Sequence, residues 1–256
     1  MKTAFTKEEL QNFIQKKSGN PRKAIRILFV PRLVTDMNME QVLEIYGELS
    51  GSNYETAVIL EPVKGNLDKK IPMASATAFK TQFGRVAANE KLRDEFCDEE
   101  DDFFIDDSGL HGQMSLYDHL AMLQCARENF NAVSMQLADE RPEIVDEMVY
   151  VLRELLAEKN VVLICACDLH ADHQIEFSRI RDVIDNKDIS GLQNFLYSGK
   201  SKIEGAGVFL VGVRVALAWE LEIEFPKGRY HSDRENSLIA GYAAFRSGQK
   251  LGSYDI

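Results

Sequence analysis

The 256-residue sequence lacks the local motifs that mark several large enzyme classes. It has no Gly-x-Ser-x-Gly turn, which disfavours an α/β-hydrolase, and it has no complete phosphate-binding Gly-x-x-x-x-Gly-Lys-Ser/Thr loop. Gly205-Ala206-Gly207 is not a dinucleotide fingerprint, because the third glycine is missing and no predicted strand precedes it. We expect this segment to allow the close approach of a helix instead.

Long apolar runs and a disulfide framework are also missing. No run reaches the roughly 18 apolar residues of a membrane helix, and Met1–Gly19 is charged and amphipathic, unlike a signal peptide. The chain has only four cysteines, and Cys165 and Cys167 lie within an apolar run, which predicts buried thiols. These features predict a cytoplasmic protein with reduced cysteines and no membrane partner.

The charge is acidic, with 30 Lys and Arg against 41 Asp and Glu and a net charge of −11. Nucleic acid is therefore excluded as the main partner, since binding to its backbone requires a basic surface. Nine of the acidic residues lie in Asp94–Asp107, which contains no basic residue. We expect this segment to form a solvated acidic loop, and recognition of a basic protein partner through it is an alternative.

Mainly apolar runs alternate along the chain with segments of helical periodicity. The predicted strands are Ile25–Val30, Thr56–Leu60, Ala132–Leu137, Val161–Cys167, Leu221–Phe225 and Leu238–Phe245. Pro142–Glu158 is the strongest predicted helix, because its apolar residues recur every three to four positions. The sequence thus predicts one α/β domain over residues 1–256, with a mixed, largely parallel central sheet and helices on both faces.

Asp168, His170 and His173 follow the apolar run at 161–167. Ligand sites of open α/β sheets lie at the carboxyl ends of strands, and two imidazoles with one carboxylate suit iron or zinc. A helix cap in a solvated loop is the structural alternative. His119 adjoins the apolar stripe of a predicted helix, which favours a hydrogen-bonded, half-buried histidine, although His111 or His119 could also act as general base beside a metal.

Several segments together resemble one known family. Residues 241–245 (Gly-Tyr-Ala-Ala-Phe) match its closing strand, 205–207 resemble its helix entry, and 113–116 resemble the start of another helix. The order and spacing of these segments, over about residues 25–246, resemble the Memo family, including AmmeMemoRadiSam system protein B. The resemblance implies the fold of the catalytic subunit of class III extradiol dioxygenases (LigB-like), with residues 1–24 as an N-terminal helical extension.

The histidines that line the family's pocket are replaced in this chain. At the corresponding positions the sequence has Arg32, Lys64 and the pair Gln113-Met114, while Asp168-Leu169-His170 keeps its character. Arginine cannot ligate a metal, and lysine must first lose a proton. The resemblance therefore implies a dioxygenase-type pocket without the metal. Its lining residues are Arg32, Lys64, Gln113, Asp168 and His170.

Three functions are compatible with the sequence. In the first, a Memo-like protein without a cofactor, a possible pseudoenzyme, binds a small carboxylate or phosphate through Arg32 and Lys64. In the second, an iron- or zinc-dependent enzyme uses a rebuilt site at Asp168, His170 and His173. In the third, a non-catalytic protein binds a partner through residues 94–107. The sequence alone decides neither enzymatic activity nor oligomeric state.

Overall fold

The computed structural model describes residues 6–17, 24–36, 38–49, 52–63, 67–110, 115–170, 174–226 and 238–245, without the side chains at 170, 174, 175 and 177. The helices are α1 (Lys7–Lys17), α2 (Met39–Glu48), α3 (Glu90–Glu99), α4 (Leu116–Ala126), α5 (Pro142–Leu156), α6 (Gln174–Asp185), α7 (Ile189–Tyr197) and α8 (Ala206–Ala218), with a short 3-10 helix at Asp107–Leu110. The strands are β1 (Ile25–Val30), β2 (Thr56–Pro62), β3 (Ile71–Met73), β4 (Ala78–Thr81), β5 (Gly84–Ala88), β6 (Phe103–Ile105), β7 (Asn131–Leu137), β8 (Val161–Ala166), β9 (Leu169–His170), β10 (Glu222–Glu224), β11 (Leu238–Ile239) and β12 (Gly241–Ala244).

The main sheet has a parallel centre with antiparallel strands at its margins. Its order is β10-β12-β1-β8-β2-β7-β3-β6, and β1, β8, β2 and β7 run parallel. β12 pairs antiparallel with β1 and β10, while β5 joins β7 and pairs with β4. The predicted mixed, largely parallel sheet is confirmed. Parallel strands of this kind are apolar throughout because both of their faces are covered.

Alternate residues of each central strand enter separate hydrophobic cores on the two faces of the sheet. In β1, Ile27 and Phe29 pack on one face with α5, α7 and α8, and Leu28 and Val30 pack on the other with α1, α2 and α4. This alternation follows from the two-residue period of a strand. Among the described helices, none combines the length and apolar character that crossing a bilayer requires.

Helix α8 approaches the sheet closely through its glycines. A Cβ atom at Gly207 would lie 2.9 Å from side-chain atoms of Glu140 and Leu137, and one at Gly212 would lie 2.6 Å from Phe29 and 2.7 Å from the sulfur of Cys165. The packing agrees with the expectation for Gly205-Ala206-Gly207. It also brings the start of α8 to the carboxyl ends of the central strands.

The prediction of a solvated loop at Asp94–Asp107 is wrong. Residues 94–99 complete α3, and Phe103–Ile105 form the edge strand β6, parallel to β3. Phe96 and Phe103 are buried and stack with ring centroids 5.7 Å apart. Burial of these two rings determines the local structure, while none of the nine acidic side chains of the segment is buried. Binding of a partner through this segment stays a prediction.

The carboxyl group of Glu147, on α5, predicts that the stability of the protein depends on pH. The pKa of Glu147 is raised to about 7, mainly because the carboxyl group is buried. The negative charge of Asp102 and a hydrogen bond with its side chain also contribute. The ordinary pKa of a glutamate, which applies to the unfolded chain, is 4.5. Stability is therefore greatest below that value and falls as the pH rises through 7. We expect Glu147→Gln to remove about 1 kcal/mol of this decline, since solvent screening reduces the effect.

Urea unfolding at pH 5 and pH 8 measures this effect. Glu154→Gln is the matched control, because it removes one charge from an exposed position on the same helix. An equal decline between pH 5 and pH 8 in wild type and Glu147→Gln would contradict the prediction.

Candidate functional site

The carboxyl ends of β1, β8 and β2 bring polar residues to one edge of the sheet. Val30 lies opposite Ala166, and Leu60 lies opposite Cys165, so Glu61 is level with Ala166. Arg32 follows β1, and Asp168 follows β8. Because crevices at the carboxyl ends of parallel strands are the usual ligand sites of such sheets, this edge is the candidate site.

Arg32 is fixed at this edge by two carboxylates. Its backbone N–H donates to Asp168 Oδ1 at 2.8 Å, and its Nη1 donates to Glu204 Oε2 at 2.5 Å. The side chain of Arg32 is 16% exposed and that of Glu204 is 47% exposed. A two-residue antiparallel bridge joins the backbones of Asp168 and Glu204. The predicted pocket cation is therefore already paired with a carboxylate of the chain.

Gly205 determines where Glu204 lies. Its backbone is left-handed, with φ of +77°, and it caps the start of α8. A Cβ at this position would lie 2.9 Å from Pro62 and 3.3 Å from the carbonyl oxygen of Ala166. Glycine alone combines this conformation with this close packing at low cost. The approach of α8 thus places Glu204 beside the ends of β2 and β8.

Glu61 is a buried carboxyl group at the end of β2. Its Oε1 accepts hydrogen bonds from the Ser115 N–H at 2.7 Å and the Ser115 hydroxyl at 2.5 Å, at the start of α4. Its Oε2 has no hydrogen-bond partner in the part of the chain that the structure describes. Burial raises the pKa of Glu61, opposed by the hydrogen bonds from Ser115, by the nearby backbone N–H of Leu116 and by the charge of Arg32. The site thus contains a buried carboxyl group in which Oε1 accepts two hydrogen bonds and Oε2 accepts none from the described residues.

His119 connects α4 to the end of β1. It is fully buried, with Nε2 3.0 Å from the carbonyl oxygen of Pro31 and Nδ1 2.9 Å from the hydroxyl of Tyr46. The carbonyl can only accept, so Nε2 carries the proton and Nδ1 accepts from Tyr46. Burial lowers the pKa of His119 to about 4. The predicted hydrogen bonding is confirmed and the predicted half-burial is wrong. Both ring nitrogens of His119 are therefore engaged in hydrogen bonds within the protein, and a role as general base stays a prediction.

The structure brings together two of the five predicted pocket residues, Arg32 and Asp168. Lys64 and Gln113 lie outside the described residues, as do His111 and His173. The backbone of His170 belongs to β9, which pairs with β11. The side chain of His170 is not among those that the structure describes.

Sequence reasoning missed Glu61, Ser115 and Glu204. For Glu61 a signal was available, because it is a carboxylate directly after an apolar strand, where a ligand site was expected. Ser115 and Glu204 carried no comparable local signal.

The described residues do not fit a dioxygenase-type metal centre. Within them, no group of three or more His, Cys, Asp or Glu side chains is arranged to hold a metal ion. The edge offers the carboxylates of Glu61, Asp168 and Glu204, while the guanidinium of Arg32 cannot ligate. The ring nitrogens of His119 are both engaged. The predicted trio of Asp168, His170 and His173 cannot be assembled from the described atoms, and it stays a prediction.

Comparisons with known proteins agree with this architecture. The model of the family described as "Memo-like protein" matches residues 3–212. A solved structure of an uncharacterised protein, JW3007 from Escherichia coli K12, matches with a TM-score of 0.58 at 11% identity, covering 87% of this chain and 100% of that chain. This likeness concerns the fold alone. A search of curated proteins finds no match.

The family match differs in extent from the resemblance expected over residues 25–246. It begins at residue 3, so it includes α1, which therefore lies within the matched region. It ends within α8, before the closing strands. The match still covers most of the chain, and the protein belongs to the Memo-like protein family.

Proposed function

We propose that this Memo-like protein binds a small ligand through a carboxylate or phosphate group at the carboxyl ends of β1, β2 and β8, with Arg32 as the binding cation. One observation carries the proposal: Arg32 already holds a carboxylate, that of Glu204, at 2.5 Å. The side chain of Glu204 occupies the place that we assign to the anionic group of the ligand.

The surroundings of Arg32 favour such an exchange. Its guanidinium is mostly shielded from water, which strengthens its interaction with an anion, and its planar fork matches carboxylate and phosphate groups. Glu204 is about half exposed, so water screens its ion pair with Arg32 and an anionic ligand can compete for the guanidinium. The hydrogen bond from the Arg32 backbone N–H to Asp168 fixes the main chain from which the guanidinium extends, which reduces the entropy lost on binding.

Lys64, Gln113 and His170 remain proposed contacts of the same ligand, and the proposal requires no cofactor. We also propose a cytoplasmic location, which four free cysteines support, since such thiols persist in reducing compartments.

The exchange predicts opposite effects of two substitutions. Glu204→Gln removes the competing charge and is expected to lower the dissociation constants of acetate and inorganic phosphate about fivefold, equivalent to about 1 kcal/mol. Arg32→Ala is expected to abolish binding of both probes. Ligand-observed NMR titrations measure these changes.

The Arg214–Asp146 ion pair between α8 and α5 provides the matched control. Its side chains are 23% and 55% exposed, close to the values for Arg32 and Glu204, but it lies outside the proposed site. We expect Asp146→Asn to leave both dissociation constants unchanged. Absence of binding to wild type and to Glu204→Gln would overturn the proposal.

Metal analysis tests the alternative function. Stoichiometric iron or zinc that disappears in both His170→Ala and His173→Ala would favour the metal-dependent enzyme over the anion-binding protein.

A further inference from the structure

We infer that Glu61 is a second ligand-contacting residue of this site, and that it selects ligands carrying a hydroxyl or ammonium group in addition to the anionic group. The inference rests on the proposed function of Arg32 and deepens it, because it defines the substrate class as small hydroxy- or amino-carboxylates.

The inference starts from the unequal use of the two oxygens of Glu61. Glu61 is 5% exposed, and Ser115 donates two hydrogen bonds to Oε1. Oε2 is buried without a hydrogen-bond partner among the described residues. Buried polar atoms are nearly always paired in native proteins, and leaving one unpaired is costly. A donor supplied by a ligand would satisfy this atom.

The fold places Glu61 within reach of a ligand held by Arg32. β1 and β2 flank β8, so their backbones are separated by two strand spacings, about 10 Å. The first turn of α4 contacts both ends, through Ser115 to Glu61 and through His119 to the carbonyl of Pro31. The charge of Arg32 also acts on the carboxyl of Glu61. Long side chains shorten the gap, so a molecule of about four carbons is of suitable size.

The chemistry of Glu61 explains why its partner is a donor. As a carboxylate, it has free lone pairs on Oε2 and accepts from a hydroxyl or an ammonium. Burial penalises the charged form, and an ammonium at Oε2 would offset this penalty by opposite charge. The ligand thus carries its negative group toward Arg32 and its donor toward Glu61.

A series of four-carbon probes tests this arrangement. Butyrate carries only the anionic group, while 2-, 3- and 4-hydroxybutyrate and 4-aminobutyrate add a donor at increasing distance. We expect at least one of these to bind wild type about tenfold more tightly than butyrate. Glu61→Gln keeps the shape of the side chain but replaces the acceptor at Oε2, and we expect it to remove this preference, so that the hydroxybutyrates and 4-aminobutyrate bind no more tightly than butyrate.

Glu147→Gln is the matched control, because Glu147 also has a raised pKa and a buried carboxyl oxygen without a hydrogen-bond partner in the described structure, but lies away from the site. It should keep the preference. A preference that is absent from wild type, or that survives Glu61→Gln, would overturn the inference while butyrate binding through Arg32 still supports the proposed function. Failure of all probes, butyrate included, would overturn both.

Discussion

Replacement of His119 by Phe is expected to lower the free energy of unfolding by about 3 kcal/mol at pH 7. The substitution keeps a ring in the fully buried position but removes two hydrogen bonds. The carbonyl of Pro31 and the hydroxyl of Tyr46 are then buried without their partner, at about 1–3 kcal/mol each. Urea unfolding followed by circular dichroism measures the change, and Tyr46→Phe, which removes only one of the two bonds, should cost about 1 kcal/mol.

The same histidine predicts a loss of stability in acid. Its pKa is about 4 in the folded protein, because of burial, and about 6.5 in the unfolded chain. The unfolded chain therefore binds a proton first, so the contribution of His119 is complete above pH 6.5 and is lost as the pH falls toward 4, by up to about 3 kcal/mol. The difference in stability between wild type and His119→Phe should shrink over this interval. A constant difference would contradict the assignment of a neutral histidine.

Gly212→Val is expected to destabilise the protein by about 3 kcal/mol. The first added carbon would already lie 2.6 Å from Cε1 of Phe29 and 2.7 Å from the sulfur of Cys165, both fully buried in the central strands. Interiors are too densely packed to accept this volume without moving α8 away from the sheet. Thermal and urea unfolding measure the loss.

Ala218→Val, at the exposed end of the same helix, is the matched control and should change stability by less than about 0.5 kcal/mol. Combining Gly212→Val with Phe29→Leu should cost less than the sum of the two single changes, because the smaller side chain withdraws the clashing atom. Strict additivity of the two substitutions would show that the clash with Phe29 is not the cause.

The central part of the fold could be predicted because burial on both faces leaves a strong pattern. Thr56–Leu60 and Val161–Cys167 coincide with β2 and β8 within two residues. The short strands β3, β4 and β5 were missed, since they span only three to five residues each, which is too short for a clear periodic pattern. β6 was missed because its aromatic residues are surrounded by acidic ones.

The site could be predicted only in part, for a different reason. Arg32 and Asp168 follow predicted strands, so their positions at the sheet edge could be inferred from the sequence alone. Glu204 reaches Arg32 from 172 positions away, through a two-residue bridge and a left-handed glycine. No local pattern specifies such an ion pair. The unequal hydrogen bonding of the two Glu61 oxygens likewise depends on the position of Ser115, directly before α4 and 54 positions along the chain.

The order of the strands has a consequence for the protein during its synthesis. β8 lies between β1 and β2 but leaves the ribosome after both of them. Until residue 166 emerges, β1 has no parallel neighbour, and β2 can pair only with β7, so the nascent chain carries unpaired strand edges. Insertion of β8 joins the two halves of the sheet in one late step, and β12 then covers the remaining side of β1. The nascent chain is therefore most prone to aggregation before this step, and binding of a chaperone to it should fall sharply once β8 is exposed outside the exit tunnel.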